Sequence, residues 1–223
     1  MPEEHHRASP SGFDRFEKCP ASLRMQELNP EKKTSKKAQK GIDLHSRLEK
    51  EDYEGVSDED MLLIQFCLDM KVKALKGRAI LEEFNEKRVY LYDADRKVIT
   101  FGTVDYLALL KDKTALMMDW KFGFIEVDSK TRQLEIYSLA VIQEFWPSQV
   151  EAWIIQPKIL KADRRIIYGN DFDWRTKNIQ DIRSRAYSNY PLFIPGKDQC
   201  QWCKARKACS AYALTPESLK SVK

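Results

Sequence analysis

Three residues in one stretch of this chain have the types and spacing of a phosphodiester-cleaving centre. In FGTVDYLALLKDKTALMMDWKFG, Phe101 to Gly123, Asp105 lies late in one apolar strand pattern and Asp119 closes the next, with Lys121 two residues on. If the strands pair as a hairpin, both carboxylates converge at one end of the sheet, and alternation sends Lys121 to the face of Asp119. Two carboxylates supply hard oxygen ligands for Mg2+ or Mn2+. An ammonium beside them can orient a water and stabilise charge on a phosphorane-like transition state. By itself D-x-K is common, and strands often finish in charges where they meet solvent, so the rest of the chain has to decide.

Two further features bear on it. His45, one of three histidines, sits in GIDLHSRLE, a helical pattern upstream of the strands, where an imidazole can complete a metal shell. Gln133 and Tyr137 in RQLEIYSLAV are four apart on the helix after Lys121 and share one face near the sheet end where the acids meet. Glu49, one turn after His45, is a candidate supporting residue; Glu82 reads as surface.

The elements that must position these groups follow from periodicity. Residues 1–10 read as a disordered tail. Residues 11–28 read as helix, Cys-Pro turn and helix, with Phe13 and Phe16 on one face and Pro30 as a stop. Helices are expected over 35–50, with Ile42, Leu44 and Leu48 apolar, and over 58–76, with Ser57 as N-cap and Asp60 three residues later. Cys67 reads as a small core residue of the second. Three strands follow: one ends in Val89–Tyr92, the next two are joined by a tight turn at 111–113. A helix over 131–144 stops at Trp146-Pro147. Two more strands (QVEAWIIQPK, DRRIIYGND) and a helix over 174–189 complete the order. Fold class is therefore α/β, a mixed central sheet flanked by helices.

At 223 residues, 43% hydrophobic and 32% charged, the chain is an ordinary globular one. No apolar run approaches the roughly 18–20 residues of a membrane span, and MPEEHHRASPSG has no apolar signal core, so the expected location is the cytoplasm. A net charge of +4 permits nucleic-acid contact without requiring it.

His45, G-x-x-D at 102–105, D-x-K at 119–121 and Q-x-x-x-Y at 133–137, in this order, resemble the RecB-type branch of the PD-(D/E)xK nucleases over about residues 35 to 145. The resemblance implies a restriction-endonuclease-like core, with His45, Asp105, Asp119 and the Trp120 backbone carbonyl as ligands to Mg2+ or Mn2+. It makes Lys121 the catalytic lysine, with Gln133 and Tyr137 around it and the DNA strand. Trp120 departs from the Tyr or Leu more usual there. FGTVD, DWKFG and QLEIYSLAV, with an early Cys-Pro and FIPG…CQWCKARKAC, look like the phage-encoded members with an iron–sulfur cluster, similar to CRISPR-adaptation exonucleases and the AddB-type nuclease domain. The implied activity is a deoxyribonuclease, an exonuclease on single strands or duplex ends in DNA recombination or processing in a bacterial host cell. A helicase or annealing protein is the implied partner. The alternative is a DNA-binding recombination accessory protein that keeps the fold and cuts poorly.

Cys200, Cys203 and Cys209 form C-x2-C-x5-C, and Cys19 stands 181 positions before Cys200. Four thiolates hold either a tetrahedral Zn2+ or a 4Fe–4S cluster. One remote cysteine plus a C-terminal triplet resembles the cluster arrangement of the nuclease families just named. The implied organisation is a core over 11–195 and a small lobe over 196–223 closing onto Cys19. Around the triplet, Lys197, Trp202, Lys204, Arg206 and Lys207 suit contact with a single strand.

Overall fold

The computed structural model describes residues 6–30 and 36–213. Five strands lie side by side in sequence order: β1 (Ile80–Tyr92), β2 (Val98–Leu110), β3 (Thr114–Trp120), β4 (Gln149–Gln156) and β5 (Lys161–Tyr168). All neighbours are antiparallel except β3 and β4, which run parallel. A parallel pair needs a crossover, and helix α5 (Arg132–Phe145) supplies it. The expected mixed sheet flanked by helices is what forms.

Helices cover both faces. On one, α5 packs with α1 (Phe13–Lys18) and α6 (Phe172–Ala186) against Ala115 and Met117 of β3. On the other, α3 (Lys36–Lys50) and α4 (Asp58–Leu75) bury Leu44, Leu48, Ile64 and Cys67 against Leu116, Met118 and Trp120. Every residue of β3 is buried, as an interior strand covered on both faces must be. Helix α2 (Ser22–Leu28) and the short α7 (Lys197–Gln201) and α8 (Ser210–Ala213) complete the chain.

Caps set the helix ends. Ser57 Oγ accepts from Asp60 N–H and donates to the Asp60 carboxylate, opening α4 as expected. Thr131 Oγ1 accepts from Leu134 N–H at the start of α5, and Trp146, left-handed at φ 56°, ends that helix ahead of Pro147. Three expectations need correction. Residues 6–10 are not a free tail: Ala8 is fully buried and its carbonyl accepts from Thr100 Oγ1 at 2.6 Å, while residues 1–5 lie outside the described ones. Helix α6 runs from Phe172 to Ala186, starting two residues and ending three residues earlier than its periodicity predicts; Asp171 pairs with Arg175 across its first turn, and Tyr187 N–H caps its end on the Arg183 carbonyl. Ile42 is 54% exposed, so the buried stripe of α3 is Leu44 and Leu48 alone.

One buried ion cluster fixes α5 to its neighbours. Glu135, 1% exposed, meets Arg132 at 2.5 Å, Arg175 at 2.7 Å and Arg165 at 3.8 Å. Asp14 of α1 accepts from Arg132 N–H at 3.1 Å, satisfying a first-turn donor of α5 from 118 residues away. Replacing Glu135 by Ala strands buried guanidinium charge. Glu135→Ala is expected to lose about 3–5 kcal/mol of stability, read as a lowered urea midpoint with an unchanged slope; a shift within error would show that the cluster is energetically neutral.

Candidate functional site

Besides register shifts near the two ends of β1, the sheet is irregular in the middle of that strand. In the β1–β2 register Asn85 faces Tyr106 and Lys87 faces Val104, which sets Glu86 opposite Asp105, yet that pair is absent from the ladder. Glu86 has φ 52°, a conformation uncommon for a side-chain-bearing residue within a strand. Alternation reverses there. Val104 and Leu107, three apart, both pack in the α5-side core, while Tyr106 faces the α3–α4 side. On the other flank the β2–β3 pairing stops at Tyr106 and Met118, so Asp119 comes opposite Asp105 just past the last ladder pair. There the Asp105 side chain takes over the ladder's role: its Oδ2 accepts from Trp120 N–H at 2.6 Å. Glu86, Asp105 and Asp119 thus form a row of carboxylates across three strands.

The residues singled out from sequence gather around this row. His45 Nδ1 lies 3.5 Å from Asp105 Oδ2, and its ring stands edge-on to Phe122. Lys121 Nζ lies 2.6 Å from Asp119 Oδ2 and donates to Gln133 Oε1 at 3.1 Å. Gln133 Nε2 donates to Asp119 Oδ1 at 3.1 Å and reaches the Tyr137 hydroxyl at 3.4 Å. One amide therefore ties acid, lysine and tyrosine together. Asp119 is 2% exposed, and its Oδ2, though beside the ammonium, accepts no hydrogen bond of good geometry. The G of G-x-x-D has a packing reason: a Cβ on Gly102 would sit 2.8 Å from the Tyr137 ring and hydroxyl.

The loop between Lys121 and α5 is pinned rather than loose. Buried Gln156 accepts from Val127 N–H and donates to the Ile125 carbonyl, both at 2.8 Å, and Asp163 accepts from Ser129 N–H at 2.9 Å.

Charge states follow from burial and these neighbours. Burial pushes the Asp105 carboxyl well above the usual carboxylate range, and the nearby Asp119 adds to it. Burial lowers the His45 imidazole against the pull of Asp119, favouring the neutral, ligating form. For Lys121 burial acts downward, but Asp119 and Asp105 outweigh it, so its ammonium is held above the usual lysine value. It acts as a fixed cation, not a base. Burial, with Glu49 and Asp119 adding, raises Glu86 to about 7.

The ligand-type atoms brought closest together overlap the expected set only in part. Among the described residues, the only group of three or more His, Cys, Asp or Glu whose ligand atoms all lie within 4.8 Å of one another is His45, Glu86 and Asp105. Glu86 was not among the residues drawn from sequence. Asp119 stands next to the trio, engaged with Lys121 and Gln133. Glu49 is exposed and contributes only its charge; Glu82 is exposed, as expected.

The cysteines are brought to one region but not to single-ion distance. Helix α1 packs on α7, and Lys18 meets Asp198 at 3.0 Å. Cys19 Sγ accepts from Ile194 N–H and Cys200 Sγ from Gly196 N–H, at 3.4 and 3.3 Å. Cys203 and Cys209 are half-buried, and no three of the four sulfurs fall within 4.8 Å of one another. An Fe–S lobe is therefore not what the described cysteines display: hydrogen bonds to the sulfurs form, a gathered ligand set does not. Lys197, Trp202, Lys204, Arg206 and Lys207 are all exposed.

A family model described as "Protein of unknown function (DUF2800)" matches residues 82–222, more than half of the chain. The chain belongs to the DUF2800 family. The matched region carries Glu86, both aspartates, Lys121, Gln133, Tyr137 and the cysteine triplet, while His45 and Cys19 precede it. No curated protein matches this DUF2800 member. A solved structure titled "Crystal structure of SSO0001" is similar over 91% of this chain and 86% of that one, at 15% identity and a TM-score of 0.44, too loose a likeness to assign chemistry. Among the described residues no helix is long and apolar enough to cross a membrane.

Glu86 makes a pH-dependent prediction. Its folded pKa lies above its unfolded value, so its ionisation costs stability as pH rises from about 4.5 to 7 and the full cost persists above. In EDTA-treated protein, Glu86→Gln should melt with wild type at pH 4.5 and above it at pH 8, by about 2–4 °C for each kcal/mol removed. A difference that does not change with pH would contradict the assignment.

Proposed function

We propose that this chain is a metal-dependent deoxyribonuclease of the PD-(D/E)xK type, in the RecB branch, hydrolysing phosphodiester bonds as an exonuclease on single strands or duplex ends. One observation carries the reading: the Gln133 amide holds Asp119 through its N–H and Lys121 through its carbonyl, beside Asp105 and His45. A bland row of strand-end charges would not be locked by one amide from the helix that follows.

The donor set fits a divalent ion: carboxylates, an imidazole favoured neutral, and the Trp120 carbonyl. Bound Mg2+ or Mn2+ supplies Lewis-acid polarisation of the scissile phosphate and a lowered pKa for attacking water. The chain's own residues do the rest. Lys121, fixed as an ammonium, faces charge that develops on the phosphoryl oxygens. Asp119 and Gln133 hold that ammonium from two sides, and Tyr137 supports Gln133 while resting against Gly102. The exposed Lys197, Trp202, Lys204, Arg206 and Lys207 give a separate surface for phosphate pairing and stacking.

The test is degradation of end-labelled single- and double-stranded DNA with Mn2+, Mg2+ or EDTA. Wild type is expected to cut only with metal, and Asp119→Ala and Lys121→Ala to lose about 10²–10³-fold or more. DNA bound but left intact under every condition would replace the nuclease with a recombination accessory protein.

The same reading puts a 4Fe–4S cluster on Cys19, Cys200, Cys203 and Cys209, in the phage-encoded iron–sulfur branch. Its support is the C-x2-C-x5-C triplet, the docking of α1 on α7, and the backbone N–H groups aimed at two of the sulfurs, a standard way of tuning such clusters. A cluster here would staple the two ends of the chain, so binding energy would become folding energy. Protein purified without oxygen should carry about four irons per chain with matching acid-labile sulfide, and Cys19→Ala should lose both. Stoichiometric zinc without iron would establish the structural zinc alternative instead.

A further inference from the structure

Glu86 is the member of the carboxylate row that the nuclease reading leaves without a task. It sits half-buried in the middle of β1, opposite Asp105, in a backbone conformation that interrupts the ladder and reverses the alternation of both strands. No hydrogen bond or ion pair to its carboxylate is found among the described residues, and Glu49, Asp119 and Asp105 around it all carry charge of its own sign. Like charges set directly across strands destabilise a sheet. A chain that bends a strand to bring a third acid into such a row, instead of turning it to solvent, has placed it toward something positive.

The identity of that positive group follows from distance and donor type. Lys121 is already held by Asp119 and Gln133. What Glu86 reaches instead is a set of ligand atoms on His45 and Asp105, all mutually within 4.8 Å, the span of atoms that share one cation. Asp119 stands outside the trio with partners of its own: its Oδ2 lies 2.6 Å from Lys121 Nζ and its Oδ1 accepts from Gln133 Nε2. We propose that Glu86, with His45 and Asp105, forms a divalent-cation site that does not require Asp119. An imidazole with two carboxylates suits Mn2+ better than Mg2+ or Ca2+, which prefer all-oxygen shells. Asp105 is then shared: its Oδ2, which accepts from Trp120 N–H, is also the oxygen 3.5 Å from His45 Nδ1. The proposal rests on the metal-dependent reading above for the use of the cation and on geometry alone for its ligands.

The experiment is Mn2+ binding to the full-length, EDTA-stripped protein, followed by isothermal titration calorimetry and by loss of the free-ion electron paramagnetic resonance signal. Wild type, Glu86→Gln, Asp119→Ala and the exposed-strand control Glu82→Gln are compared, with circular dichroism verifying the fold of each. Glu86→Gln is expected to weaken Mn2+ binding about tenfold or more, Asp119→Ala to leave it within a few-fold, and Glu82→Gln to leave it unchanged. Binding lost in Asp119→Ala and retained in Glu86→Gln would overturn the proposal and return the ligand set to His45, Asp105 and Asp119, with the metal-dependent reading intact. Absence of Mn2+ binding in wild type would overturn both. Should Glu86→Gln fail the circular-dichroism check, Glu86→Asp serves in its place, since a carboxylate shortened by one methylene keeps the charge and is expected to lose affinity through reach alone; unchanged affinity there would also overturn the proposal.

Discussion

The two strands that carry the site's aspartates are joined at their ends by one side-chain hydrogen bond, from Trp120 N–H to Asp105 Oδ2. Beyond Tyr106 and Met118 the backbone ladder between β2 and β3 has ended, and this side chain stands in for it. A backbone donor satisfied by a carboxylate is charge-assisted and shorter than an amide–carbonyl bond, so the two strands stay at a fixed offset where they would otherwise splay. Asp119, Trp120 and Lys121 take their positions from that offset and from β4 on the other side, where Lys121 N–H donates to the Ile155 carbonyl. On the far side, β1 detaches from β2 at the same residue. At Asp105, therefore, β2 is held to β3 by side-chain chemistry rather than by the sheet.

Helix α5 joins two buried electrostatic centres of opposite design. Glu135 on one side is surrounded by three arginines, so its charge is compensated within the protein. Gln133 and Tyr137 on another side face three carboxylates with one lysine between them. Buried charge is tolerated when paired and expensive when not. The first centre accordingly reads as architecture, anchoring the helix to α1, β5 and α6. The second is left short of positive charge, and its neighbours pay with raised carboxyl pKa values at Asp105 and Glu86. A single helix therefore transmits the rigidity of the satisfied cluster to the unsatisfied one.

Much of this was legible in the residues. The N-caps Ser57 and Thr131, the Trp146-Pro147 stop and the strand–helix–strand order follow from local chemistry that tertiary packing did not override. The positions of His45, Asp105, Asp119, Lys121, Gln133 and Tyr137 were legible too, because alternation and helical spacing place them on common faces. Glu86 was not. In ILEEFNEKRVYLY its charge looks like one more polar residue on a solvated strand, and the signal that separates it is a backbone angle that sequence does not show. Glu135 was hidden by the same rule in reverse: an acid within the apolar run of QLEIYSLAV is read as surface until the arginines from β5 and α6 are known to meet it. Residues 6–10 looked like a tail because polar, Pro-containing sequence has no periodicity, yet Ala8 and Pro10 are buried by contacts with β2 and α5.

The capping of α5 by Asp14 carries a consequence for how the chain acquires this arrangement. The N-terminal segment bonds to Thr100, to Arg132 and to Ile194, contacts that close loops of 92, 118 and 175 residues. Each closure must be completed before its contact rewards it, and sequence-distant contacts of this kind slow folding. During synthesis the first helix emerges long before any of its partners and has nothing to dock on. The hairpin of β1 and β2 can form early from local pairing, but the first turn of α5, which carries Gln133, gains its distant cap only when the chain's beginning returns to it. The support that α5 gives to Asp119 and Lys121 is thus completed late, although both lie on a hairpin that local pairing can form.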